Sequence, residues 1–228
     1  MKEKYPRTMH FPFSPGTTSD DRIASVYSKF EGPRIIITEK LDGQNDCVKK
    51  NGVYARSHAA PSELPWDRVI WDIQTKIKDA LDEMFHIFGE NMYAIHSLQY
   101  TELTSYYYIF GIRDNNIWLS WDDVVKYAEL FELPTVPVLF DGTTDDIKSL
   151  VERLVSEPSV LGGFDTQTGK KMKEGVVVRI ANAFEETFPN KKNYCFENLI
   201  KWVRKDHVNT NEHWTRNWKV APLNYNLL

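Results

Sequence analysis

The sequence predicts an α+β fold in one domain, and three observations carry that expectation. Short β-branched runs at 35–38 and 175–180 read as strands buried on both faces. Stretches with apolar residues at helical spacing lie between them rather than alternating strictly with single strands. The order is strand and hairpin, helix, strands, helices, strands, which argues against a doubly wound parallel sheet.

Each element has its own local reason. The first thirty residues are rich in turn formers and are expected to be an irregular arm packed on a domain of residues 31–228. Ile35, Ile36 and Ile37 begin the first buried strand. Asn51-Gly52, between Cys47-Val48 and 53–56, is a strong hairpin signal. Val69, Ile70, Ile73, Ile77, Ala80, Leu81, Met84 and Phe88 recur at helical spacing, so one long helix is expected over 66–88 with Gly89 as its C-cap. Strands follow at 92–98, 106–112 and 117–119, the last two joined through 113–116. Ser120 with Asp123 resembles a capping box opening a helix to about 131. Thr144 is expected to cap a second helix over 145–155, with Ile147, Leu150, Val151 and Leu154 as its apolar stripe. Residues 175–180 and 199–203 read as strands, while 194–198 is ambiguous.

Composition narrows the class. With 228 residues and 42% hydrophobic content the chain can bury a full core. A net charge of -4 gives no global basic field, although a few placed cations suffice for phosphate contacts. Two cysteines without metal-type spacing, Cys47 and Cys195, exclude a disulfide framework and fit a reducing compartment. No apolar run is long enough to span a membrane and no signal-peptide core is present. The expectation is a soluble, cytoplasmic protein, of a cell or expressed from a phage, with no membrane partner.

The most informative stretch is Glu39-Lys40-Leu41-Asp42-Gly43-Gln44-Asn45, where a strand closes on a lysine at the lip of a tight turn. A free lysine is unprotonated about once in a thousand at neutral pH. A nucleophilic lysine therefore needs burial and nearby cations, with a shift of three units worth roughly 4 kcal/mol. Attack on a nucleotide phosphate also needs phosphate-binding cations, a carboxylate for a metal, and a pocket for base and ribose. Arg56, Glu90, Phe110, Glu174, Lys201, Arg204 and Lys205 stand at or near strand ends spread along the chain. Singly, each serves ordinary structural purposes. Their order carries the information.

That order resembles the covalent nucleotidyltransferase superfamily of ATP-dependent ligases and RNA capping enzymes, and within it the RNA ligase family. The nucleophile motif K-x-D/H-G-x-N matches Lys40 to Asn45, and an arginine in a short strand matches Ala55-Arg56-Ser57-His58. Gly89-Glu90, Tyr108-Ile109-Phe110-Gly111, Glu174-Gly175-Val176-Val177 and the basic stretch 201–208 follow in the family's order. His10 to Gly16 and His213-Trp214 look like flanking segments of small members. Two departures stand out: Gly111 replaces the aspartate that usually follows the aromatic, and Lys201 is followed two places later by Val203 rather than a second lysine.

The resemblance implies a nucleotidyltransferase (ATP-grasp-like) domain of mixed, mainly antiparallel sheets flanked by helices. It implies that Lys40 attacks the α-phosphorus of ATP to form lysyl-AMP, that AMP passes to a 5′-phosphate, and that a 3′-hydroxyl then seals the strand. Arg56 contacts the phosphate and ribose side, Glu90 the ribose hydroxyls, Phe110 stacks on adenine, and Glu39 reads the adenine edge. Asn45 belongs to the nucleotide site. Glu174 attends Mg2+ or Mn2+, and Lys201 with Arg204 or Lys205 holds the phosphates and depresses the Lys40 pKa. Because about twenty residues follow the basic motif, a minimal domain without an appended OB or helical domain is expected, one that binds nucleic acid itself or recruits an accessory protein. Lys170, Lys171, Lys173, Lys191 and Lys192 are the candidate strand-contacting cations. RNA is favoured over DNA. A DNA ligase, a GTP-using capping-type enzyme and a non-catalytic module binding nucleotides or RNA ends remain alternatives.

Overall fold

The computed structural model describes residues 4–56, 59–185, 194–205 and 217–227. In chain order the elements are β1 (Arg7–His10), β2 (Ile35–Lys40), β3 (Gln44–Lys49), β4 (Gly52–Ala55), α1 (Arg68–Ile77), β5 (Phe85–Asn91) and β6 (Leu98–Gln99). Then come β7 (Tyr107–Asp114), β8 (Ile117–Trp118), α2 (Trp121–Leu130), β9 (Val138–Gly142), α3 (Ile147–Ser156) and β10 (Phe164–Asp165). Three strands close the series: β11 (Gly175–Ile180), β12 (Phe184–Glu185) and β13 (Cys195–Val203). The α+β class and the mainly antiparallel pairing are as expected. No helix among the described residues is long and apolar enough to cross a membrane.

Two sheets organise the molecule. One runs β1-β13-β11-β2-β9, with β1 parallel to β13 and the remaining pairs antiparallel. The other runs β12-β8-β7-β5-β3-β4 and is antiparallel throughout. The chain leaves the first sheet at Lys40 and enters the second at Gln44, so three residues bridge the layers.

Strand alternation then sorts the side chains. In β2, Ile35 and Ile37 pack with α3 residues Ile147, Val151 and Leu154. Ile36 faces the other way and joins the core under β5 and β7. A smaller cluster of Cys47, Phe88, Trp118, Phe196 and Leu199 draws residues from both sheets. Cys47 and Cys195 are both free thiols.

The long helix expected over 66–88 is a correction. A 3-10 turn at Pro65–Asp67, α1 and a second 3-10 turn at Lys78–Ala80 end it, and Phe85–Asn91 is a strand at the heart of the second sheet. Gly89 is no C-cap. It pairs with Ile109, and a Cβ there would lie 2.5 Å from the Tyr107 ring, so only glycine admits that ring. The strand expected over 92–98 shrinks to β6, because among the described residues 92–97 makes a single bridge, Ala94 to Val220.

Smaller adjustments follow. The β3–β4 hairpin turns on Lys50-Asn51, with Gly52 already paired to Lys49. The cap of α3 is Asp146, whose carboxylate accepts from Ser149 N at 3.0 Å, while Thr144 Oγ1 accepts from Asp146 N. Ser120 caps α2 as expected, accepting from Asp123 N at 3.2 Å. The ambiguous 194–198 segment belongs with 199–203 in one long β13. Within the segment 4–30, Arg7–His10 pairs with β13.

Candidate active site

Lys40 ends β2 with its ammonium 2.5 Å from Glu174 Oε2, the residue that precedes β11. The Lys40 side chain is 25% exposed and that of Glu174 only 6%. Pairing of Gly175 with Lys40 across β11 and β2 sets this meeting. The turn that follows is pinned at Asp42 and Gly43. Asp42 N donates to Tyr100 Oη at 2.8 Å, and Gly43 N donates to Glu90 Oε1 at 3.2 Å. Asp42 Oδ2 accepts from Ser97 Oγ at 2.6 Å and from Leu98 N at 2.8 Å. Four hydrogen bonds from the second sheet and its connections thus fix where the lysine stands.

Between the sheets lies a cavity of about 990 Å³, at the upper end of the range typical for small-ligand sites. Lys40, Glu39, Asn45, Arg56, Glu90, Phe110 and Lys201 all line it. Alternation places them: Leu199 and Lys201 face inward from β13, and Val177 and Arg179 from β11. The Phe110 ring is half-buried and meets Tyr5 edge-on at 5.2 Å between centroids. One face of Phe110 thus borders a cavity large enough for a nucleotide.

Other expected residues are placed differently. Both oxygens of the Glu39 carboxylate are engaged away from Lys40, accepting from Ser159 Oγ at 2.6 Å and Val160 N at 2.8 Å. The Glu39 carboxylate thus braces the loop after α3, while the residue still borders the cavity. Arg204 Nη2 lies 3.8 Å from Asp165 Oδ2 and Lys205 is exposed; neither lines the cavity, leaving Lys201 as the cavity cation of that trio. Lys173 is buried, donating to Leu154 O at 2.9 Å, and cannot contact a strand as expected. Lys170 and Lys171 are exposed. Ser57, His58, Lys191, Lys192, His207 and His213-Trp214 lie outside the described residues.

Sequence reasoning missed Tyr5, His96 and Arg179 as cavity residues. Arg179 was reachable, being two places beyond Val177 on the same strand face. Tyr5 and His96 sit in irregular segments, where no periodicity marks them.

Charge inside the site is finely set. Burial works to lower the Lys40 pKa, but Glu174, Glu90 and Asp42 outweigh it and hold the ammonium above its ordinary range. This corrects the expectation of a depressed lysine: in the free protein the carboxylates win over Lys201. The repulsion appears on the partner instead, since burial and then Lys40 push Lys201 down to about 8. Burial raises Glu174 to about 6, against the pull of Lys40. Glu90 rises to about 8, by burial first and by Glu174 and Asp42, against the pull of Lys40.

Glu90, through its raised pKa, makes stability depend on pH. Its folded pKa of about 8 exceeds the ordinary 4.5, so its contribution to stability falls as pH rises between those values. Glu90→Gln should melt a few degrees higher than the native protein above pH 8, with the difference shrinking toward pH 5. Melting curves across that range decide it; an equal difference at all pH values would contradict the burial of an ionisable acid.

Comparison with known proteins now adds a family. The model of the RNA ligase family matches residues 33–203. A comparison with curated protein sequences gives no match. Among solved structures, an archaeal ATP-dependent RNA ligase (form 2) is 15% identical with a TM-score of 0.55, over 88% of this chain and 48% of that one. A Naegleria gruberi RNA ligase variant determined with ATP and Mn is 16% identical with a TM-score of 0.52, over 88% and 60%. A putative ATP-dependent DNA ligase from Aquifex aeolicus is 17% identical with a TM-score of 0.50, over 88% and 50%. The chain spans about half the length of the solved structures it matches, and at this identity the likeness speaks for the fold. The family model runs from before β2 to the end of β13, and this chain therefore belongs to the RNA ligase family.

Proposed function

We propose that the chain is an ATP-dependent polynucleotide ligase acting on RNA through a lysyl-AMP intermediate. The observation that carries this is the Lys40 ammonium on the wall of a nucleotide-sized cavity, against Glu174 and facing Arg56, Glu90, Phe110 and Lys201. Lys40 Nζ attacks the α-phosphorus, the bond to the β-phosphate oxygen breaks, and pyrophosphate leaves. The proton leaving Lys40 has the Glu174 carboxylate beside it as acceptor, 2.5 Å away. A 5′-phosphate oxygen then displaces the lysine amine to give an adenylated end. A 3′-hydroxyl finally attacks the phosphorus of the strand's own 5′-phosphate, the bond from that phosphorus to the AMP oxygen breaks, and AMP leaves. Lys201 and Arg56 supply fixed positive charge to the phosphate side throughout.

A divalent cation fits this donor set. Glu174 and Glu90 are carboxylates near Lys40 whose pKa values are raised first by burial and then by neighbouring acids. Among the described residues no set of three or more His, Cys, Asp and Glu side chains forms a metal cage. A hard cation held by Glu174 and phosphate oxygens matches that pattern, and when bound it supplies neutralisation of phosphate charge.

Phe110→Ala should weaken ATP binding about tenfold, as for other base–aromatic stacks, with the fold retained. Binding titrations with melting curves separate this from a packing role: unchanged affinity with lost stability would return Phe110 to the core. For the activity itself, sealing assays on nicked and single-stranded RNA, DNA and hybrid substrates are the test. Joined RNA with ATP, and little joined DNA, is expected. No sealing of any RNA substrate by adenylated protein would refute the ligase proposal, and labelling by GTP alone would replace it with a capping-type activity.

A further inference from the structure

His96 lines the cavity but has no part in the chemistry above. It arrives from the irregular segment between β5 and β6, and that segment is tied on both sides. Upstream, Ile95 N donates to Lys219 O at 2.9 Å beside the Ala94–Val220 bridge. Downstream, Ser97 Oγ and Leu98 N both donate to Asp42 Oδ2. The ring itself stands with Nδ1 4.0 Å from Asp42 Oδ1, its side chain 10% exposed and that of Asp42 14%. Asp42 therefore belongs to two structures at once: it is two residues from the nucleophile, and it anchors the segment that delivers an imidazole to the same cavity.

Distance matters here. The charge of Asp42 is felt at Lys40, at Glu90 and at Glu174, so the His96–Asp42 pair lies within electrostatic reach of the reacting amine. With Nδ1 toward the carboxylate, ring geometry turns Nε2 away from it. An imidazole so oriented, with its proton on Nε2, is a directed donor to an anion. The cavity has Arg56, Arg179 and Lys201 on its wall as well as Lys40, and places Glu39 and Glu90 there too. A phosphate-bearing ligand entering this mixed field needs donors near the Asp42 side, where acids cluster.

We propose that His96 is a catalytic residue that donates a hydrogen bond to a phosphate group during nucleotidyl transfer, with Asp42 as its positioning residue. The inference rests on the phosphate-transfer function proposed above and adds a residue to it. The phosphate has two sources, the polyphosphate of the nucleotide or the 5′-end of the strand, and separate assays distinguish them.

The test uses His96→Gln and His96→Ala in the full chain. Binding of inorganic pyrophosphate is followed by calorimetry, lysyl-AMP formation by labelling at varied ATP, and AMP transfer by mixing purified adenylated protein with 5′-phosphorylated RNA. Loss of pyrophosphate affinity by about tenfold or more, with a matching rise in KM for ATP, supports the proposal and assigns the nucleotide phosphates. Normal pyrophosphate binding and labelling with AMP transfer slowed by about tenfold or more supports it and assigns the strand phosphate. Folded variants within about twofold of native in all three assays overturn it. Unfolding of both variants also overturns it and makes His96 a packing residue. Should the native protein form no lysyl-AMP, the proposed function fails; the pyrophosphate titration still decides the phosphate contact of His96.

Discussion

Lys40→Ala should abolish covalent AMP attachment completely, because Lys201, the other lysine lining the cavity, stands on β13 and not at the turn where β2 ends. The fold should survive, since the residue ends a strand and its side chain is a quarter exposed. Stability should nevertheless drop in a pH-dependent way. Removing the ammonium leaves the buried Glu174 carboxylate without its closest cation, and such charges cost several kcal/mol when unpaired. Glu174 already has a pKa raised to about 6, so at lower pH it takes a proton and the cost vanishes. Lys40→Ala should therefore melt close to the native protein at pH 5 and clearly below it at pH 8. Adding Glu174→Gln to the variant should restore much of the loss. Residual labelling of Lys40→Ala, or a deficit independent of pH, would contradict this.

Gly175→Ala is expected to be severely damaging. A Cβ at 175 would lie 2.0 Å from the Trp202 carbonyl oxygen and 3.1 Å from Val203 Cα, both backbone atoms of the neighbouring strand. Backbone in the middle of a sheet has nowhere to go, so β11 must part from β13 at the Gly175–Val203 pair. The same displacement moves Glu174, whose carbonyl accepts from Arg204 N at 2.9 Å. A loss of about 3 kcal/mol or more is expected, with labelling reduced even at temperatures where the protein is folded. Thermal unfolding checks the first part and labelling at low temperature the second. A native melting temperature would show that the two strands are not so closely apposed.

What was legible in the sequence follows from physics that is local. β2 and β11 announce themselves because both are buried on two faces and filled with β-branched residues. α2 announces itself through Ser120 and Asp123, whose capping geometry is as local as a signal can be. The false extension of the first helix has an equally clear cause. In β5, Phe85, His86, Ile87 and Phe88 are all buried, so no two-residue alternation shows, and Met84 and Phe88 fall by coincidence on helical spacing. Only the ladder to β7 decides for strand, and pairing between distant segments leaves no mark in a local window. β9 escaped because Pro134 and Pro137 precede a strand that is mostly half-exposed.

The site divides along the same line. Lys40, Arg56, Glu90, Phe110 and Lys201 were readable because each sits at or beside a strand and their order carried a family pattern. The contacts of the Glu39 carboxylate with Ser159 and Val160 were not readable, because those partners are distant in sequence. The second closing cation was never decidable from spacing, since the strand stops at Val203 before Lys205 can be aimed. The sign of the Lys40 shift was also beyond sequence, because it depends on how closely Glu174, Glu90 and Asp42 approach in space.

Everything catalytic here requires that AMP become bonded to one particular nitrogen. Protein stripped of pre-bound adenylate, incubated with α-labelled ATP and a divalent cation, then digested and mapped, tests that most directly. A single labelled peptide spanning β2 and the following turn, carrying an acid-labile and alkali-stable phosphoramidate on Lys40, is the expected result. A folded protein that takes no label, or takes it on a different residue, would contradict it.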